Sequence, residues 1–298
     1  MKIFDRIVKK EPINKGYSGD KKYYIETDDD RKLLLRVSDI AESEYRKTEF
    51  EMTRKVAELG IPMSVPVEFG SCEDGTYSLH NWIEGEDVKI DGTVLPKFSE
   101  KERYTFGLKA GEILRKIHSV PASETNAITD NKIHNYLDVD DKIHNYLNCG
   151  LRFEGDEYIL AYIENNRHLL QNRPHCFLHG DYHPGNMMIE NGELIIIDFN
   201  RYSYGDPWED FNCIEWDAEL SPHFATGQIR GYFNGESLLE FFKVLAFYIS
   251  CNALKNIHGA AIGLYDLETM MNQVQDVLRW YDNMRNSVPT WYLKEIKL

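Results

Sequence analysis

The sequence predicts an α+β protein whose strands come first and whose helices come later. Roughly the first 80 residues hold short β-favouring runs bounded by turn signals. After Gly85 the apolar residues recur at helical spacing. Strands and helices do not alternate as in βαβ units, so segregated elements are expected. With 298 residues, the chain can form two lobes.

The N-terminal part is predicted to be a sheet with one helix. Residues 23–29 and 31–38 flank an aspartate-rich turn, which predicts a hairpin. Residues 42–59 have apolar side chains at approximately helical spacing, and Gly60 and Pro62 follow them. This pattern predicts a helix. Two further strands are expected on either side of the turn CEDG.

The C-terminal part is predicted to be mainly helical. Ser99 and Glu102 form a capping-box signature at the start of a helix over residues 99–118. Two short strands are expected at residues 176–181 and 193–199. The chain from about residue 208 onwards is predicted to be helical.

Composition and charge limit the function classes. A hydrophobic fraction of 42% indicates a globular chain. A net charge of −15 argues against a nucleic-acid partner and would attract a cationic substrate. The alternative is that the acidity serves only solubility. The string KIHNYL occurs at 132–137 and 142–147, too few copies for a solenoid, and has no functional explanation.

We expect a cytoplasmic protein. The N-terminal residues MKIFDRIVKKEP lack the apolar core of a signal peptide. The apolar run at 238–249 contains charges and falls short of the roughly 20 residues that a membrane span needs, so it predicts a buried helix. Five scattered cysteines without CxxC spacing suggest reduced thiols rather than disulfides or zinc.

The strongest chemical signal is HGDYHPGN at residues 179–186, followed by Asp198 in IIIDF. Transfer of a γ-phosphoryl group needs a carboxylate that accepts or orients the acceptor hydroxyl, and oxygen ligands for Mg²⁺. Asp181, Asn186 and Asp198 have the side chains for these tasks. The competing interpretation is that these residues only shape a turn.

These motifs resemble the aminoglycoside phosphotransferase family, a branch of the protein-kinase-like superfamily, over nearly the whole chain. HGDYHPGN matches the family's catalytic loop, and IIIDF matches its metal-binding segment. The resemblance implies that Asp181 is the catalytic base, that Asn186 and Asp198 bind Mg²⁺, and that His179 and His183 hold the loop.

The resemblance also implies a bilobal protein-kinase-like fold. A small β-rich nucleotide-binding lobe would comprise residues 1–84, and a larger, mainly helical catalytic and substrate-binding lobe would comprise 85–298. The segment GDPWEDF resembles the family's GDPxxD, in which Asp206 and Asp210 would be structural anchors.

The segment KGYSGDKKYYI resembles the family's nucleotide-covering loop. Gly16 and Gly19 would let the backbone approach phosphate, and Ser18 would add a hydroxyl donor. A simple hairpin turn would have the same pattern.

The family has a lysine in the third strand that pairs with the nucleotide phosphates and with a helix glutamate. This chain has Arg36 there. Arginine keeps the charge but differs from lysine in reach and hydration. The expected partner is Glu49, with Glu51 second; the alternative is that both are solvated helix charges.

Two further sets of residues follow from the resemblance. His80, Asn81 and Trp82 correspond to the hinge that contacts the purine through its main chain, with core packing as the alternative for Trp82. Acidic side chains would hold ammonium groups of the acceptor, or would simply form an exposed acidic helix end. They are Glu215, Asp217 and Glu219.

The sequence therefore predicts a Mg²⁺-dependent small-molecule kinase that uses ATP or GTP. The leading acceptor is an aminoglycoside, as in a resistance enzyme. The alternative is a metabolic kinase of the choline, homoserine, methylthioribose or fructosamine type. A non-catalytic nucleotide-binding module is less favoured, and a protein kinase is disfavoured because DFG and APE segments are missing from the sequence. The oligomeric state is left open.

Overall fold

Strands and helices are segregated in this protein, as the sequence predicts. The structure, a computed structural model, describes residues 2–14, 19–88, 94–122, 139–235 and 238–296. The chain divides into two units. Unit 1 is Met1–Ile90 with Gly185–Tyr202, and unit 2 is Asp91–Pro184 with Ser203–Leu298.

Unit 1 contains a five-stranded antiparallel sheet in the order β1-β2-β3-β5-β4. Apolar side chains at alternate positions of the three middle strands form the core on one face. Lys22, Arg36 and Ser78 are in register across those strands, at the positions of the opposite face. The strands are β1 (Ile7–Ile13), β2 (Lys21–Thr27), β3 (Lys32–Ser38), β4 (Pro66–Cys72) and β5 (Gly75–Asn81).

The predicted hairpin and first helix of unit 1 are confirmed. β2 and β3 pair around a turn in which Asp30 has a φ of +60°. Helix α1 (Ser43–Ala57) packs on β4 and β5. Gly60 follows it with a φ of +65°, a conformation that glycine adopts without strain.

A second, three-stranded sheet in unit 1 has the order β6-β8-β9. It consists of β6 (Glu86–Asp87), β8 (Met187–Glu190) and β9 (Glu193–Ile196). The predicted strand over residues 193–199 is therefore too long at its end. Asp198 has a φ of +63°, which is outside the β region and ends the strand geometry.

The two units differ from the predicted lobes, 1–84 and 85–298. Gly185–Tyr202 belongs to unit 1 because β8 pairs with β6, and because Ile196 exchanges backbone hydrogen bonds with Pro62 and Ser64. These pairings join distant parts of the sequence, which local patterns do not indicate.

Unit 2 is mainly helical, with one short two-stranded sheet. Helix α2 (Glu100–Ile117) begins with the predicted capping box of Ser99 and Glu102. Strand β7 (Cys176–Leu178), shorter than predicted, pairs with β10 (Ser203–Gly205). The other described helices are α3 (Val139–Asn148), α4 (Asp156–Asn166), α5 (Ile214–Leu220), α6 (Pro222–Phe233), α7 (Leu239–Ala261) and α8 (Leu267–Trp280).

Helices α2 and α6 cross in very close contact through two pairs of glycines. Gly107 and Gly111 are one turn apart on α2, and Gly227 and Gly231 are one turn apart on α6. A Cβ on Gly111 would lie 2.0 Å from the carbonyl oxygen of Gln228, and one on Gly231 would lie 2.0 Å from that of Leu108. Each glycine therefore lets a backbone from the other helix approach directly.

The predicted buried helix at 238–249 corresponds to the first half of α7. Most residues in that half are buried. No helix in the described ranges is both long and apolar enough to cross a membrane. The second KIHNYL copy lies in α3, and the first lies outside the described residues.

Candidate active site

A buried cluster of charges surrounds Arg36 in unit 1. The guanidinium donates to Asp20 Oδ2 from Nη2 at 2.7 Å and from Nε at 3.2 Å. Its Nη1 lies 3.4 Å from Glu49 Oε1. Arg46 bonds the remaining oxygens, Asp20 Oδ1 and Glu49 Oε2, each at 2.9 Å. The expected partnership of Arg36 with Glu49 is thus present, whereas Glu51 is exposed.

Asp20 is held ionised by this cluster. Burial alone would raise the pKa of its carboxyl, but Arg36, Ser38 and Arg46 together outweigh burial and hold the pKa below its usual range. Ser38 Oγ donates to Asp20 Oδ1 at 2.7 Å. Asp20 therefore links the end of the loop before β2 to β3 and α1.

Asp198 and Asn186 are brought together in unit 1. The β8–β9 hairpin aligns Met187 with Ile196, and Ile197 N donates to Asn186 O at 3.0 Å. Asp198 has a φ of +63°, a left-handed conformation that aspartate adopts more readily than most other non-glycine residues. Lys22 Nζ lies 4.0 Å from Asp198 Oδ2, and Arg36 Nη1 lies 3.6 Å from Asp198 Oδ1.

The surroundings of Asp198 fit a magnesium ion. Asp198 Oδ1 is buried and accepts no hydrogen bond from the described residues, although Arg36 is nearby, so it has lone pairs free for a cation. Magnesium is commonly bound by one or two protein oxygens together with waters and phosphates. Within the described ranges no group of three or more His, Cys, Asp or Glu side chains forms a metal site, and a magnesium ion bound in this way does not need one.

Asp181 lies in unit 2 on a loop whose backbone is anchored by Asp210. His179 N and Gly180 N each donate to a carboxylate oxygen of Asp210 at 2.7 Å. His118 Nε2 lies 3.0 Å from the same carboxylate. Asp210 thus has the anchoring contacts expected of it, and they hold the two residues before Asp181.

The side chains around Asp181 are also ordered by contacts in unit 2. Asp181 N donates to His179 Nδ1 at 3.3 Å, and His183 Nε2 lies 3.5 Å from Asp181 Oδ1. The His183 ring packs edge-on against Trp216. Tyr182 OH donates to the carbonyl of Ala110 on α2 at 2.7 Å. Asp181 itself keeps 18% of its side chain exposed.

Asp206, the second expected anchor, lies in a separate network. Its Oδ2 accepts from Arg173 Nε at 2.6 Å and from Tyr248 OH at 2.8 Å. Its Oδ1 accepts from Trp208 N at 3.0 Å, which starts a short 3₁₀ helix. The Arg173 guanidinium stacks 3.7 Å above the Trp208 ring. These contacts fix the segment that leads to Asp210.

The three acidic residues expected to hold the acceptor are not all accessible. Glu215 and Asp217 are buried, whereas Glu219 is exposed. Tyr281 OH donates to Glu215 Oε1 at 3.2 Å, and burial raises the pKa of Glu215 to about 8. The alternative of an exposed acidic helix end is therefore wrong for two of the three carboxylates, because α5 buries them within unit 2. The expected role of the set in holding ammonium groups stays a prediction.

The residues expected to form the hinge make main-chain hydrogen bonds within unit 1. Asn81 N donates to Val65 O at 3.0 Å, and Trp82 N donates to Lys32 O at 3.3 Å. His80 is buried, and burial lowers its pKa to about 3, which keeps the ring neutral. Both N–H groups therefore already have acceptors within unit 1, and the expected purine contact through the main chain of residues 80–82 stays a prediction.

In the predicted nucleotide-covering loop, Gly16 and Ser18 lie outside the described residues. Gly19 is described, and a Cβ there would meet nothing within 4 Å. No steric requirement for glycine exists at this position in the structure.

The profile of the APH family, described as the phosphotransferase enzyme family, matches residues 10–242. The chain belongs to this family. No curated protein matches the sequence.

Solved structures share the fold of this APH-family chain at low sequence identity. The GDP complex of aminoglycoside 2′-phosphotransferase-IIIa has a TM-score of 0.64 at 13% identity, covering 94% of each chain. A choline/ethanolamine kinase family protein from Mesorhizobium loti has 0.62 at 16%, covering 94% of this chain and 91% of that one. Amicoumacin kinase hAmiN, solved with AMP-PNP and Ca²⁺, has 0.60 at 14%, covering 94% and 90%. The predicted protein-kinase-like α+β class is confirmed.

Several residues of the candidate site were not found from the sequence. Asp20 and Arg46 complete the cluster at Arg36, Lys22 lies beside Asp198, and His118 supports Asp210. Strand alternation could have found Lys22, since it is the cross-strand neighbour of Arg36. The others depend on contacts between distant segments.

Proposed function

We propose that this phosphotransferase moves the γ-phosphate of ATP or GTP to a hydroxyl of a small cationic molecule. Asp181 would be the catalytic base, and Asn186 and Asp198 would hold Mg²⁺. The observation that carries the proposal is the anchored loop, in which Asp210 bonds the amides of His179 and Gly180. Rigid positioning is a large part of phosphoryl-transfer catalysis.

In this mechanism Asp181 accepts a hydrogen bond, and finally the proton, from the acceptor hydroxyl. The hydroxyl oxygen forms a bond to the γ-phosphorus as the bond to the bridging oxygen of the nucleoside diphosphate breaks. Bound magnesium would neutralise charge on the phosphates. His183, 3.5 Å from Asp181 Oδ1, would orient the carboxylate.

An aminoglycoside is the leading acceptor, supported by the net charge of −15 and by the exposed Glu219. Carboxylates make charge-assisted hydrogen bonds to ammonium groups. A metabolic acceptor of the choline type is the second candidate, since a choline/ethanolamine kinase family protein shares the fold.

The test incubates the protein with Mg²⁺ and labelled ATP or GTP against aminoglycosides and amino alcohols. Turnover of one class identifies the acceptor. Nucleotide binding without turnover of any compound would favour a non-catalytic module instead.

Asp181→Asn should lower kcat by about 100-fold to 10,000-fold, the usual contribution of a general base, because the amide cannot accept the proton. The dissociation constant of the nucleotide should change less than about threefold, since the effect arises in the transition state. The matched control is Glu193→Gln, an exposed carboxylate on β9. Retention of full turnover by Asp181→Asn would show that this residue is not the base.

A further inference from the structure

We propose that Lys22, and not Arg36, makes the direct contact with the phosphates of the nucleotide donor. This inference rests on the proposed function, because it takes a nucleoside triphosphate as the donor. It moves phosphate recognition from β3 to the neighbouring strand β2.

Arg36 has its donors committed to protein carboxylates. Nε and Nη2 both bond Asp20, while Nη1 faces Glu49 and Asp198. Only 8% of its side chain is exposed. A phosphate could bond Arg36 only after displacing Asp20, whose side chain is 2% exposed and also bonded to Ser38 and Arg46.

The cluster around Arg36 has no surplus positive charge. Arg36 and Arg46 carry two positive charges, whereas the four carboxylates around them carry four negative charges; these are Asp20, Glu42, Glu49 and Asp198. Removal of one partner from a buried, hydrogen-bonded ion pair is strongly destabilising. Arg36 therefore has no unbalanced charge for a ligand.

Lys22 has fewer carboxylate partners than Arg36 and a more exposed side chain. It is the cross-strand neighbour of Arg36, and both cations approach Asp198. In the described part of the chain, one carboxylate lies within 4.0 Å of Nζ, and that is Asp198 at 4.0 Å. The Lys22 side chain is 16% exposed, twice the value for Arg36.

The chemistry of lysine suits this position. Its ammonium is a compact charge with three donors on a flexible stem, and it can bind phosphate as a point charge. A pair at 4.0 Å is too long for a strong hydrogen bond, so Lys22 can turn towards a new anion without losing one.

The test compares binding of ADP, GDP, adenosine and guanosine by calorimetry in the presence of Mg²⁺. For Lys22→Met we expect the diphosphates to bind about 10-fold to 100-fold more weakly, as for a lost hydrogen bond to a charged group. Nucleoside binding and Tm should be unchanged. Lys22→Arg should retain most of the preference for diphosphates, and the control Lys21→Met, at an exposed neighbouring position, should retain all of it.

A second variant tests Arg36 without unbalancing its cluster. The double substitution Asp20→Asn with Arg36→Gln removes one charge of each sign. We expect it to keep the preference for diphosphates over nucleosides within about threefold of the wild type, well below the loss of a charged hydrogen bond.

The inference is overturned if Lys22→Met keeps the preference for diphosphates, or if the double variant loses it. A different result would be that the wild type binds neither ADP nor GDP. In that case the proposed function itself fails, and this inference fails with it.

Discussion

At the scale of single residues, Glu215 shows how burial changes the chemistry of a carboxyl group. It lies on α5 with Tyr281 as its hydrogen-bond donor, and burial raises its pKa to about 8. The group is therefore largely protonated in the folded protein at neutral pH. A neutral, buried carboxyl is a poor partner for an ammonium ion, which leaves Glu219 as the accessible carboxylate of α5.

Glu215 should make the stability of the protein depend on pH. A carboxyl whose folded pKa exceeds its unfolded pKa stabilises the fold below the unfolded value, and this contribution is lost as pH rises through about 8. Glu215→Gln removes the charge and keeps an acceptor for Tyr281. The unfolding free energy of the variant minus that of the wild type should therefore increase by on the order of 3 kcal/mol from pH 5 to pH 9.

Urea unfolding at both pH values measures this difference. The matched control is Glu219→Gln, an exposed carboxylate on the same helix, for which the difference from wild type should not vary with pH. An unfolding free energy of Glu215→Gln that follows the wild type at both pH values would mean that Glu215 is ionised in the folded protein.

Candidate site residues could be predicted from the sequence where they belong to a short motif. Asp181, Asn186 and Asp198 follow from the spacing of two short segments, and the motif also indicated Asp206 and Asp210. The surroundings of Arg36 were not predictable. Asp20 and Arg46 reach it from two other elements, and that proximity arises only when the sheet and α1 have packed.

At the scale of elements, the contact between α2 and α6 depends on the absence of four side chains. Interior helix glycines cost about 1 kcal/mol each relative to alanine, so such a pattern needs a compensating contact. Here the compensation is close packing of two helix backbones, as at small-residue helix crossings in membranes.

Gly231→Ala should therefore destabilise the protein by about 3 kcal/mol or more, although alanine is the better helix former. The new Cβ would lie 2.0 Å from the Leu108 carbonyl oxygen, and a backbone atom cannot move aside as a side chain can. Thermal unfolding measures the effect. The control Glu112→Ala, on the exposed face of α2, should change stability by less than about 0.5 kcal/mol.

A Gly231→Ala variant as stable as the wild type would show that the helices can separate at no cost. The spacing of four residues between the glycines was visible in the sequence. It could not identify the partner helix, because 104 residues separate the end of α2 from the start of α6. Local signals such as the Ser99 and Glu102 capping box were sufficient for single helices.

At the scale of the whole molecule, the net charge of −15 should affect how a polycation binds. Salt screens charges over about 10 Å at 0.1 M ionic strength, so attraction by the summed charge weakens as salt rises. Under the proposed function, the KM of a polycationic aminoglycoside should rise severalfold between about 0.02 M and 0.3 M ionic strength. The KM of a singly charged amino alcohol should rise much less.

Steady-state kinetics with saturating donor at each salt concentration measures both values. Equal salt dependence for the two acceptors would contradict a role for the overall charge.

The net charge could be predicted from composition alone. The membership of Gly185–Tyr202 in unit 1 could not, because it depends on pairing between β6 and β8.

That membership has a consequence for protein synthesis. Unit 1 needs Gly185–Tyr202, so the ribosome must add residues 91–202, which are 112 residues, after Ile90 before unit 1 is complete. At about 5 to 20 residues per second this takes roughly 6 to 22 seconds. Until β8 has been added, the nascent chain carries β6 without its partner strand. An N-terminal fragment ending near residue 90 would remain in that incomplete state.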